Sequence, residues 1–221
     1  MPSASSAPAS SDSAPAGLPK VLLFDLGRVV IRLDMDRTFG IWSAAAGVPA
    51  SLLASRYAVC ERFEAHERGE IDAGAWYQAL RARLGIELDD ATFDRGWKAL
   101  LSDVEPSVVA AIRRLRERMP VHAFTNTNVT HRRLMDERYG DTMALFDQVF
   151  DSSRLGLRKP EPAAFERVVQ TIGLPASGIL FLDDLAANVA GARAVGLRAM
   201  QVTTADEVLA ALAPLLQAAD A

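Results

Sequence analysis

Apolar positions along the chain fall into two rhythms. Short strand-like runs occur at Val21–Leu26, Val121–Asn126, Gln148–Asp151, Ile179–Asp183 and Arg198–Val202. Runs of this length, rich in apolar residues, read as strands buried on both faces. Between most of them the apolar residues recur at helical spacing. Val108, Val109, Ile112 and Leu115 do so within 107–118, and 163–172, 188–195 and 205–218 follow the same period. Strands alternating with helices predict an α/β fold, a doubly wound, Rossmann-like parallel sheet covered on both faces by right-handed crossovers.

One stretch breaks the alternation. From Asp34 to Ser102 the period is helical throughout and no strand stands out. Gly47-Val48-Pro49, Gly69-Glu70-Ile71-Asp72 and Gly85-Ile86 punctuate it. The chain therefore divides into a tail over 1–19, an α/β core over 20–33 and 103–221, and a small all-helical cap over 34–102, inserted after the first strand. Four or five helices are expected in the cap, with Trp42, Trp76 and Trp97 packing its interior. The insert leaves the sheet just after Asp25 and returns before Thr125, which places it to close over the strand ends as a lid.

Composition narrows the class. The 221 residues are 50% hydrophobic, enough for one core with an insert. The net charge of −4, without a basic stripe, argues against a nucleic-acid surface. Cys60 is the only cysteine, so neither an internal disulfide nor a cysteine metal cluster can form, and a buried apolar thiol is expected there. The first twenty residues are mostly Ser, Ala and Pro, without the basic start and apolar middle of a secretory signal, and read as a disordered tail. No apolar run approaches the roughly 20 residues of a membrane helix. A soluble, cytoplasmic protein without a membrane partner is expected.

The candidate chemistry lies at the carboxyl ends of the strands, where open α/β sheets bind ligands. Asp25 ends the first run. Its carboxylate can attack phosphorus, or merely cap a turn. Thr125-Asn126 ends the second and opens onto a helix, an arrangement that suits an anionic oxygen as well as an ordinary turn. Lys159, in Arg158-Lys159-Pro160-Glu161-Pro162, can neutralise a phosphate or sit on the surface. Asp183-Asp184 ends a further strand, with Asn188 one helical turn on. Adjacent acids supply hard oxygen ligands for Mg²⁺, or one of them caps the helix. A parallel sheet brings all four elements to one edge.

In this order the motifs Phe24-Asp25-Leu26-Gly27-Arg28-Val29-Val30, Phe124-Thr125-Asn126, Arg158-Lys159-Pro160-Glu161-Pro162 and Phe181-Leu182-Asp183-Asp184 with Asn188 and Gly191 resemble the haloacid dehalogenase superfamily of hydrolases. The resemblance covers nearly all of the chain after the tail. Within the superfamily, Phe63-Glu64-Ala65-His66-Glu67-Arg68-Gly69-Glu70-Ile71, Gly96-Trp97 and Thr125-Asn126-Thr127-Asn128 look like the bacterial α-D-glucose-1-phosphate phosphatases. The resemblance implies a Mg²⁺-dependent phosphatase acting on a small phosphorylated molecule such as a sugar phosphate. Asp25 would be the nucleophile. Asp25, the Gly27 carbonyl, Asp183 and Asp184 would hold the metal, Thr125 and Asn126 the phosphoryl oxygens, and Lys159 would neutralise charge. His66, Glu67 and Arg68, in the turn between two cap helices, would contact the rest of the substrate. His122 is expected to be structural; His131, in the helix after Thr125, lies near the site or at the surface, and the surface is the expectation.

Position 27 departs from the pattern. Many superfamily phosphatases carry a second aspartate there, which protonates the leaving oxygen, and such help is worth roughly 10²–10⁴-fold. Glycine implies a substrate with a good leaving group, or a substitute acid, for which His66 is the candidate. A 2-haloacid dehalogenase, which needs neither that acid nor a metal, and a non-catalytic binding or regulatory protein on the same scaffold are the alternatives.

Overall fold

The computed structural model describes residues 17–220; residues 1–16, and with them most of the expected tail, lie outside the described residues. The core strands are β1 (Val21–Phe24), β4 (Val121–Thr125), β5 (Gln148–Asp151), β6 (Ile179–Asp183) and β7 (Arg198–Gln201). They form one parallel sheet in the order β5-β4-β1-β6-β7. The fold is the doubly wound α/β arrangement. Two-residue alternation divides the sheet's side chains between its faces. Leu22, Phe24, Val121, Ala123 and Leu182 meet α6 (Pro106–Leu115) and α12 (Ala205–Asp220) on one face. Val21, Leu23, Phe124, Ile179 and Phe181 meet α10 (Pro162–Ile172) and α11 (Ala186–Ala194) on the other. The remaining core helices are α7 (Val129–Arg138), α8 (Gly140–Met143) and α9 (Ser152–Leu155).

The insert is helical, as its periodicity predicts: α1 (Met35–Ala46), α2 (Ala50–Arg56), α3 (Glu61–Glu67), α4 (Ala73–Leu84) and α5 (Asp90–Lys98). Asp34, Asp72 and Asp89 cap α1, α4 and α5 by accepting from backbone N–H groups of the first turn, and Gly47 and Gly85 end α1 and α4 in the left-handed conformation. The helices share an apolar core of their own around Phe39, Trp42, Trp76, Leu80, Phe93 and Trp97. All three tryptophans are buried. Cys60, expected to be buried, is half-buried beside this cluster at the start of α3.

The reading of 34–102 as free of strands needs one correction. The chain enters and leaves the insert through an antiparallel ribbon, β2 (Ile31–Leu33) with β3 (Leu101–Val104), with Ile31 opposite Val104 and Leu33 opposite Leu101. The expected boundary at 102/103 falls inside β3. Strands of three and four residues with irregular burial are too short to show an alternation.

Packing of α1 on α5 depends on Gly96. A Cβ there would fall inside the indole of Trp42, which is buried, stacks on Phe93 at 4.4 Å and donates to the Phe93 carbonyl. Alanine in a helix interior gains about 1 kcal/mol over glycine, but overpacking a core costs about 1–3 kcal/mol. Gly96→Ala is therefore expected to lower the free energy of unfolding by the difference, up to about 2 kcal/mol in chemical unfolding. A stabilised variant would show that the two helices can part freely.

Candidate active site

The carboxyl edge of the sheet gathers the strand-end residues into one cluster. Lys159, 1% exposed, donates to Asp25 Oδ1, to Asp183 Oδ2 and to the Phe124 carbonyl, each at 2.7 Å. An ammonium has three N–H donors, and here all three are used. The rings of Phe124 and Phe181 flank it, each with its centroid 5.2 Å from Nζ. Burial disfavours the charge on Lys159, but Asp25 and Asp183 outweigh it and hold the ammonium above its ordinary pKa. The loop carrying Lys159 is tied to the end of β4 in both directions: its N–H donates to Asn126 Oδ1, and Asn126 Nδ2 donates to its carbonyl, both at 2.8 Å. On the other side α11 approaches so closely that a Cβ on Gly191 would lie 2.6 Å from the Pro160 carbonyl oxygen.

The three carboxylates differ in surroundings. Asp183 is fully buried. Besides Lys159 it accepts from the Leu185 N–H at 2.8 Å and from Asn188 Nδ2 at 3.0 Å. Asp25 is pushed up to about 7, by burial above all; Lys159 opposes this, while Asp183 and Asp184 add to it. Asp184 is raised by burial and by Asp183, and Arg28 Nη1 stands 3.7 Å from its Oδ2. Arg28 adopts φ +61°, a left-handed conformation uncommon outside glycine, in the tight turn that follows Asp25. Asp25, Asp183 and Asp184 each place a carboxylate oxygen within 4.8 Å of the others. Burial above all, and with it the excess of negative charge that three acids leave against one buried ammonium, raises the pKa of Asp25 and of Asp184. Hard oxygen donors with uncompensated charge are the donor set that fits Mg²⁺.

A cavity of about 350 Å³ opens on this cluster. Asp25, Gly27, Thr125, Asn126, Lys159 and Asp184 lie at its floor, and α1, α3, α5 and the segment after α2 contribute walls. Of the three residues expected from the cap turn, only Glu67 lines it. Its buried carboxylate accepts from Arg158 at 2.9 and 3.0 Å, and Glu64 accepts from the same guanidinium at 3.0 Å. Burial pushes Glu67 up against the pull of Arg158. His66 and Arg68 are not brought to the cavity. His66 is buried in the insert, stacked on Trp76 with Nδ1 3.2 Å from the Ile71 carbonyl. Arg68 turns to Glu70 and Glu161. Gly69, at φ +72°, sits so close to the core that a Cβ would lie 2.5 Å from the Ser153 carbonyl oxygen.

Two lining residues escaped the sequence reading. Arg158 was visible only as the neighbour of Lys159. His131, expected at the surface, is buried and lines the cavity, stacked on Trp97 at 4.8 Å. Its Nε2 lies 2.9 Å from the Trp97 carbonyl and its Nδ1 3.2 Å from Asn128 Nδ2. The carbonyl can only accept, so Nε2 carries the proton and Nδ1 accepts from Asn128. The Asn128 Oδ1 caps α7 through the His131 N–H at 3.0 Å. His122 lies within β4 against Phe150, as a structural residue would.

Comparison with known proteins gives a consistent picture. The family model for haloacid dehalogenase-like hydrolases matches residues 20–196. The chain is 27% identical to a drimenol cyclase of Aspergillus calidoustus, over 86% of this chain but only 35% of the length of that relative. It is 27% identical to a sesquiterpene phosphatase of Aspergillus oryzae, covering 83% of this chain and 90% of the relative. It is 24% identical to a D-ribitol-5-phosphate phosphatase of Bacteroides thetaiotaomicron, covering 82% and 91%. A haloacid dehalogenase family enzyme of Bacteroides thetaiotaomicron, solved with magnesium and inorganic phosphate, superposes with a TM-score of 0.72 at 24% identity, covering 84% of this chain and 94% of the other.

Burial lowers His131 to about 4, well below an exposed histidine. A depressed folded-state pKa contributes stability that is complete above the unfolded value, about 6.5, and is lost as pH falls through the folded one. Between about pH 6.5 and 4 the protein should therefore lose stability more steeply than a His131→Gln variant does, measured as the unfolding midpoint against pH. Parallel curves would show that His131 does not titrate with folding.

Proposed function

The chain belongs to the haloacid dehalogenase-like hydrolase family, and we propose that its reaction is the Mg²⁺-dependent hydrolysis of a small phosphomonoester through an aspartyl-phosphate on Asp25. The observation that carries this reading is Lys159 bridging Asp25 and Asp183 within an acid cluster whose oxygens converge. The residues divide into holders and a reactor. Asp183 is spent on Lys159, Leu185 and Asn188 and positions the cluster. Asp25 keeps one oxygen, Oδ1, on Lys159, which aims the carboxylate while Oδ2 makes the attack on phosphorus. Thr125 and Asn126 lie on the floor of the cavity to receive phosphoryl oxygens. Asp25, Asp184 and the Gly27 carbonyl, with Asp183 behind them, would hold Mg²⁺, which supplies charge neutralisation for the phosphoryl oxygens.

The first half-reaction forms the Asp25–phosphorus bond as the ester oxygen departs with its electron pair. In the second, water attacks phosphorus and gives up a proton to solvent as the bond to Asp25 breaks, which frees phosphate and returns the Asp25 carboxylate. No carboxylate stands at position 27 to protonate the departing oxygen. A Cβ on Gly27 would lie between Leu33 Cδ1, at 3.2 Å, and Asp25 Oδ2, at 3.9 Å. His66 is an unsuitable substitute, being buried behind Trp76. The departing oxygen must then carry its own negative charge well.

The dehalogenase reading is less well supported, because attack on carbon with loss of halide gives the converging acids no task. The named relatives differ in what bears their phosphate, a sesquiterpene in one and a polyol in another. They support the phosphoryl end and leave the body of the substrate open, including the sugar phosphate expected from sequence resemblance.

Phosphate release from p-nitrophenyl phosphate should require Mg²⁺, stop with a chelator, and fall by several orders of magnitude in Asp25→Asn, with no halide released from a 2-haloacid. Metal-independent turnover, or a fully active Asp25→Asn, would sink the mechanism. Across a series of aryl phosphates, kcat/KM should fall steeply as the pKa of the leaving phenol rises. A flat series would show that the departing oxygen is protonated by a group of the cavity wall.

A further inference from the structure

The upper part of the cavity differs in character from its floor. Above the acid cluster the wall is built from Leu33, Met35, Tyr57, Val59, Phe63 and Trp97, drawn from β2, the insert and the segment joining α2 to α3. Several of the polar side chains that also reach this part are already engaged. Glu67 is paired with Arg158, and Arg158 with Glu64 as well. His131 has the Trp97 carbonyl on one ring nitrogen and Asn128 on the other. Tyr57 adds one hydroxyl to this wall, and burial pushes its pKa up to about 12.

Among the described residues five large apolar side chains are left exposed, and two of them, Val59 at 59% and Leu185 at 50%, lie at this cavity. Water-facing apolar groups gathered at one opening are most simply explained by something apolar that covers them.

From these walls we propose that the organic part of the substrate is apolar, a hydrocarbon chain or ring without free hydroxyl groups, and that the cavity selects for it. The proposal rests on the phosphatase reading above. A polyhydroxylated body would strip water from each hydroxyl and find few partners along a wall that is mostly apolar. An apolar body loses nothing by entering and gains the burial of both surfaces. The volume, about 350 Å³, is at the small end of ligand cavities and limits the body's size. Leu33 lines this wall and also stands beside Gly27, so the apolar surface reaches down to the turn that follows Asp25.

The test separates body from leaving group by using phosphonates, which bind without being cleaved. Inhibition constants of n-alkylphosphonates are measured in competition with p-nitrophenyl phosphate on the Mg²⁺-loaded protein. Each added methylene should tighten binding by about threefold to fourfold until the cavity is filled. A phosphonate carrying a polyol chain of equal length should bind at least about tenfold more weakly than its alkyl counterpart. Val59→Asp, at an exposed position outside any core, should flatten the chain-length series. A series flat in the parent protein, or a polyol phosphonate that binds as well as the alkyl one, overturns the apolar body and leaves the phosphatase standing. Failure to hydrolyse p-nitrophenyl phosphate at all overturns the phosphatase reading and the inference with it.

Discussion

A single buried ammonium organises this protein. Lys159 carries its charge into a place where an unpaired cation could not remain, and every proton on it is answered by an oxygen from a different strand end: Asp25 after β1, Phe124 in β4, Asp183 at the end of β6. The central strands of the sheet are therefore joined at their carboxyl edge by one side chain as well as by their ladders. Removing Lys159 would leave the buried carboxylates uncompensated, at a cost of about 3–5 kcal/mol. The cluster that holds a reactive carboxylate in place is thus also a structural fastening. The excess of negative charge around it gives a divalent cation something to do.

The insert is fixed to that edge by contacts of three kinds. Arg158 reaches from the residue before Lys159 to Glu64 and Glu67 on α3. The backbone at Gly69 lies directly on Ser153. His131, in the first turn of α7, joins the core to the end of α5 by way of the Trp97 carbonyl. Each begins within a few residues of the acid cluster or of the loop at Thr125. The walls of the cavity and its floor are consequently set by the same segments, and a shift of the insert would be felt by the residues beside the reacting groups.

How much of this could be read from sequence depended on range. The five core strands were legible because burial on both faces leaves a dense apolar run, and Asp25, Thr125, Lys159 and Asp183-Asp184 were legible because a parallel sheet brings all strand ends to one edge. The ribbon of β2 and β3 was not, since three or four residues cannot establish a period. Arg158 pairs with residues 91 and 94 positions away, and nothing local marks it. His131 has the composition of a surface residue in a helix of low hydrophobicity; its burial comes from Trp97, which belongs to the insert. His66 misled for the opposite reason. A histidine in a charged turn resembles a functional group, but the turn faces the core while the ring folds back onto Trp76.

The ribbon has a meaning beyond its size. Because β2 and β3 are hydrogen-bonded to each other, the two crossings between insert and sheet lie side by side. The insert is joined to the sheet as a flag is to a pole, by one edge. Such an attachment makes the helical part exchangeable: a different set of helices, grafted onto the same pair of short strands, would meet the same acid cluster without altering a residue of the sheet. The chemistry and the choice of molecule are thereby free to diverge at separate rates, with the seam between them passing through Leu33, the residue that touches both.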